Sequence, residues 1–112
     1  MYKQTNKFFD HLTELLNSYD IKWNDVFENV KQKDNPLTVG TVFRGAVMSV
    51  AEKVAPSCRP ECISTYVLDT GDNYRGVIEF KVDENGKTSK DFEAVKKALM
   101  SDKHLRIKDI TN

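Results

Sequence analysis

The sequence predicts an α+β fold, with N-terminal helices packed on a small, mainly antiparallel three-stranded sheet that has a helical crossover, in the order ααα-ββ-α-β. Three observations predict it. Apolar residues in the first half recur at helical spacing. After residue 61 the apolar residues become β-branched or aromatic and alternate. A last helix-spaced stripe then separates two strand-like runs. With 112 residues, 39% of them apolar and 30% charged, the chain has the size and makeup of one globular domain, 1–112.

Residues 5 to 19 form the first predicted helix. Phe8, Phe9, Leu12, Leu15, Leu16 and Tyr19 fall on one face, and Asp10, Glu14 and Asn17 take the other. Asp20 ends it. A second, short helix carries Trp23, Val26, Phe27 and Val30, with Asn24 as N-cap and Asp25 in a first turn that favours negative charge. The polar run Gln32-Lys33-Asp34-Asn35-Pro36 closes it.

The third segment has the most regular pattern. Val39, Val42, Phe43, Ala46, Val47, Val50, Ala51 and Val54 follow one helical arc, Thr38 can cap the start and Pro56 stops the end. The residue types argue the other way. Five of these residues are β-branched, and Gly40 and Gly45 each cost about 1 kcal/mol against alanine in a helix. A hairpin turning at Arg44-Gly45 is the rival. The helix is preferred because eight core-type residues share one face and strict alternation fails at Val42-Phe43.

Cys62 to Leu68 reads as a strand, Asp69 to Asn73 as a turn, and Tyr74 to Val82 as the antiparallel partner. Tyr74, Gly76, Ile78, Phe80 and Val82 share one face, with Val77, Glu79 and Lys81 on the other. Asp83-Glu84-Asn85-Gly86 is a second turn. A fourth helix starts near Thr88 or Ser89, with Phe92, Val95, Ala98 and Leu99 as its stripe. Leu105 to Ile110 is a terminal strand.

Seventeen basic side chains balance seventeen acidic ones. A nucleic-acid binder usually carries a basic excess, because neutralising phosphate drives its affinity. Zero net charge also removes self-repulsion, which favours association with another protein or a second copy. The first seven residues lack the apolar core of a signal peptide, and no apolar run approaches a membrane span. The expectation is a protein of the cytoplasm, or of a host cell's cytoplasm, with no membrane partner. The abundance of Asn, Lys and Asp hints at a phage or mobile-element source.

Catalytic signatures are few. There is no Gly-rich phosphate cradle, no Gly-x-Ser-x-Gly elbow and no Ser/His/Asp set at a telling spacing. The expectation is a non-enzymatic protein-protein interaction module without a cofactor, serving as a regulator, inhibitor or accessory factor. Its candidate partner-binding surface is the side of the third helix outside the valine arc, where Thr41, Arg44, Gly45, Met48 and Glu52 cluster. Met and Arg are enriched at interfaces, and a glycine on an exposed helical face suits close approach by another chain.

Two alternatives stand beside it. A nucleic-acid-binding regulator would use the sheet, with Tyr66 and Tyr74 stacking on bases and Arg75, Lys81, Arg106 and Lys108 tracking phosphate. A small zinc-binding domain would use Cys58 and Cys62, a pair four residues apart. Its remaining ligands would have to be His11 and His104, the only imidazoles.

Overall fold

The computed structural model describes residues 7–32, 36–56, 63–69, 71, 74–82, 90–99 and 105–111. The coarse prediction holds. Among the described residues the fold is α+β, with four helices and an antiparallel strand pair.

Helix α1 (Lys7–Ser18) buries Phe8, Leu12, Leu15 and Leu16, the stripe its sequence spacing defines. It ends in a Schellman turn. Ile21 N–H donates to the Leu16 carbonyl and Asp20 N–H to that of Asn17, at 2.9 and 3.1 Å. Asp20 supplies the left-handed residue this turn needs, with φ of 57°. Ile21 is buried immediately after it. Glycine is the preferred residue at such a position, because a side chain there crowds the backbone. Asp20→Gly is therefore expected to raise unfolding free energy by about 0.5–1 kcal/mol in urea denaturation.

Helix α2 (Trp23–Gln32) begins one residue before the predicted cap, so Asn24 lies inside its first turn. Trp23 stacks on Phe27, one turn later, with ring centroids 5.7 Å apart. The Trp23 indole N–H also donates to Thr13 Oγ1 of α1 at 2.9 Å.

Helix α3 (Val39–Val54) occupies the stretch where helix and hairpin competed. Thr38 caps it through a reciprocal pair of bonds. Thr41 N–H donates to Thr38 Oγ1 at 3.2 Å, and Thr38 N–H donates to Thr41 Oγ1 at 3.0 Å. The chain leaves the helix at Ala55, just before Pro56. The buried set includes Val42, Phe43, Ala46, Val47, Val50 and Ala51 from the expected arc. It also includes Met48 and Ser49, which lie outside that arc. This helix is enclosed on more than one side, because α2 crosses what the sequence presents as its free face.

Strands β1 (Ile63–Asp69) and β2 (Tyr74–Val82) pair antiparallel without interruption, from Ile63↔Phe80 to Asp69↔Tyr74. Between them Gly71 takes φ of +93°, a turn conformation suited to glycine. The register divides the sheet into two faces. Ile63, Ile78, Phe80 and, in part, Tyr74 and Val67 join the helices in one core. Ser64, Tyr66, Leu68, Arg75, Glu79 and Lys81 lie on the outer side. Helix α4 (Lys90–Leu99) packs on α3 and adds Val95 and Leu99 to the same core. Its Lys96 is ion-paired to Glu93 at 3.1 Å, with the ammonium 5.9 Å from the Phe80 ring centroid. The backbone of β3 (Leu105–Thr111) runs parallel to β2, from Gly76↔Leu105 to Val82↔Thr111. The two strand pairings are therefore one antiparallel and one parallel, because the α4 crossover returns the chain in the direction of β2.

Candidate functional site

The five residues of α3 singled out by the sequence come together in the structure, although not on an open helix face. Thr41, Arg44, Gly45, Met48 and Glu52 form one wall of a cavity of about 120 Å³, and Asn29 and Val30 of α2 form the other. The spacing of three and four residues puts them on one side of α3. The cap at Thr38 fixes where that side begins.

Gly45 is what lets the two helices approach. A β-carbon placed on it would meet Val26 Cγ1 and Val30 Cγ2, each at 3.0 Å. The sequence suggested that this glycine admits an external chain. It admits α2 instead. Met48 is correspondingly buried, at 9% exposure, and contributes to the apolar floor with Val30. Arg44 is half-buried and its Nη1 donates to the Ile63 carbonyl at 3.0 Å, tying α3 to the start of β1. Thr41 is occupied in the capping box. Glu52 and Asn29 are the exposed members of the lining.

Those two residues also line a second, broader recess of about 380 Å³, shared with Asp20, Ile21, Asp25, Ser49 and Lys53. Sharing Asn29 and Glu52, the two recesses adjoin along the α2–α3 seam and are taken together as a groove. One end has an apolar floor with an arginine. The other carries three carboxylates, Asp20, Asp25 and Glu52, against the single ammonium of Lys53. Ser49 offers little there, because its hydroxyl donates back to the Gly45 carbonyl at 2.8 Å.

Sequence reasoning missed the α2 wall and the acidic end. The lone signal for the wall was Gly45, which marks close helix contact as well as it marks an interface. Asp20, Asp25 and Glu52 come from three separate segments, and no spacing links them.

Among the residues of the nucleic-acid alternative, Tyr74 stands apart from the others that the structure describes. Tyr66 is exposed on the outer face, where Arg75 and Lys81 also lie. Tyr74 is on the opposite face, with its ring centroid 6.0 Å from that of Phe8 and 6.3 Å from that of Phe9. The register explains the separation, because Tyr66 pairs with Val77, and positions 74 and 77 have opposite parity on a strand. Arg106 and Lys108 fall beside Val77 and Glu79 in the backbone register of β3. Their side chains lie outside the described residues, as do Cys58, Cys62 and His104. His11 is on α1, with Nδ1 3.8 Å from a Glu14 carboxylate oxygen. Among the described residues no group of three or more His, Cys, Asp or Glu is placed to hold a metal ion, and no helix is long and apolar enough to cross a membrane.

Comparison with models of known protein families, with characterised proteins and with solved structures finds no match.

Proposed function

We propose that this chain is a single-domain, non-enzymatic protein–protein interaction module, a regulator, inhibitor or accessory factor that grips its partner in the α2–α3 groove. The observation that carries this reading is the size and makeup of the groove's closed end. Its volume of about 120 Å³ is on the scale of a single side chain. An apolar floor of Val30 and Met48 beside Arg44 suits a single apolar anchor, the kind of contact that dominates many interfaces.

The open end supports a basic neighbour for that anchor. Asp20, Asp25 and Glu52 outnumber Lys53, so a Lys or Arg a few residues along the partner segment would be attracted there. Asp20 fits the same reading. It keeps a carboxylate at a left-handed position where glycine would be more stable, as residues retained for binding often do. The reading takes β1, β2 and β3 as one three-stranded sheet that holds α3 from behind.

The test uses exposed lining residues, since Met48→Asp would bury a charge and unfold the domain. Asn29→Trp combined with Glu52→Lys obstructs the groove and reverses charge at its acidic end. The tagged chain is expressed in its native host, and captured proteins are quantified by mass spectrometry. The groove variant is expected to lose a specific protein by roughly tenfold or more, the loss of about 1.4 kcal/mol of binding. Arg75→Ser, on the outer sheet face, retains it. Equal capture by wild type and groove variant rejects the reading.

A further inference from the structure

Strand β1 has β2 on one side, and among the described residues no strand pairs with the other. An edge strand presents unpaired N–H and C=O groups, and proteins that stay monomeric usually blunt such an edge with lysine, proline or a bulge. The segment Ile63-Ser64-Thr65-Tyr66-Val67-Leu68-Asp69 has no Lys, Arg or Pro. Its seven pairings with β2 run one to one, so there is no bulge. Tyr66 and Leu68 are 37% and 45% exposed on the outer face. The strand is therefore regular and rich in sheet-forming residues, and among the described residues no second strand covers this edge, where Arg44 bonds the Ile63 carbonyl.

We propose that this edge is a homodimer interface, in which two copies of the chain pair β1 antiparallel about a twofold axis at Tyr66. The choice of a second copy over a foreign peptide rests on self-complementarity. In this register Tyr66 faces its own counterpart, Thr65 faces Val67, and Ser64 faces Leu68. Ile63 faces Asp69, the one charged residue of the strand. The Ile63 carbonyl accepts from Arg44 at 3.0 Å, so Arg44 stands at the end of β1 where the second copy's Asp69 arrives. Each end of the interface then joins a guanidinium to a carboxylate, and the twofold axis makes the match twice. A chain of zero net charge adds no overall repulsion between copies. Arg44 is the one groove-lining residue that this interface also uses.

Sedimentation equilibrium of the full chain from micromolar to millimolar concentration tests the proposal. Wild type is expected to shift from monomer to dimer across that range. Tyr66→Lys and Tyr66→Glu each place like charges face to face and weaken the dimer by roughly tenfold or more. An equimolar mixture of the two variants restores it, because a register centred on residue 66 sets the opposite charges opposite each other. A wild type that stays monomeric throughout overturns the proposal, as does undiminished dimerisation of either variant or a mixture that fails to recover. Amide hydrogen exchange gives a readout that needs no variant. Alternate β1 amides of wild type slow as concentration rises, and concentration-independent exchange overturns the proposal equally.

Discussion

Phe43→Ala is expected to lower the stability of the fold by about 3–5 kcal/mol. Phe43 is fully buried on α3, and its ring centroid lies 5.5 Å from that of Phe8 on α1. Phe8 in turn meets Tyr74 of β2 edge-on at 6.0 Å. The Phe43–Phe8–Tyr74 chain therefore links two helices to the sheet, and removing its α3 member leaves a void that stiff neighbours such as Val47 and Val50 fill poorly. In thermal denaturation followed by circular dichroism, a loss of that size lowers the midpoint by roughly 12–20 °C, at about 4 °C per kcal/mol for a domain of this length. Phe43→Leu keeps most of the volume and costs less than about 1.5 kcal/mol. A loss below about 1 kcal/mol for the alanine variant would mean that the Phe43 side of α3 does not face the sheet at all.

The same helix separates what could be read from the chain from what could not. Residue by residue, the stretch from Val39 to Val54 favours a strand as much as a helix. Burial decides it, because eight residues on one arc remove more apolar surface from water than propensity costs. Thr38 and Pro56 then set its limits, and both signals are local, so both were legible. The bounds of β2 were legible for a similar reason, since alternation from Tyr74 to Val82 needs no knowledge of the partner strand. Relations between elements were harder. The position of α2 across Met48 and Ser49 depends on two helices meeting, and the chain carries only an indirect mark of that in Gly45. Grouping Tyr66 with Tyr74 failed because face membership across two strands depends on register, which pairs Tyr66 with Val77. The acidic end of the groove joins a helix-stop residue, an α2 first-turn residue and an α3 residue, and it exists only after packing.

Gly45 gives the second large effect, and its sign is informative. Alanine is the better helix former by about 1 kcal/mol, so an unobstructed glycine in α3 should gain from the exchange. Gly40 is such a case. A β-carbon there meets nothing closer than Thr38 Oγ1 at 3.9 Å, and Gly40→Ala is expected to stabilise by about 0.5 kcal/mol. At Gly45 the new carbon would sit 3.0 Å from two valine methyls, and β-branched side chains in a helix have essentially one rotamer to offer. Helix α2 must then move as a body. Gly45→Ala is expected to destabilise by about 1 kcal/mol, the crowding outweighing the propensity gain, and Gly45→Leu by about 3 kcal/mol. Trp23, the single tryptophan, reports the displacement directly, because its stacking on Phe27 and its bond to Thr13 hold α2 against α1. Its emission should shift to the red in the leucine variant and stay unchanged in Gly40→Ala. If Gly45→Ala stabilised the protein as Gly40→Ala does, α2 would not be seated against α3 at this point, and the wall contributed by Asn29 and Val30 would lose its basis.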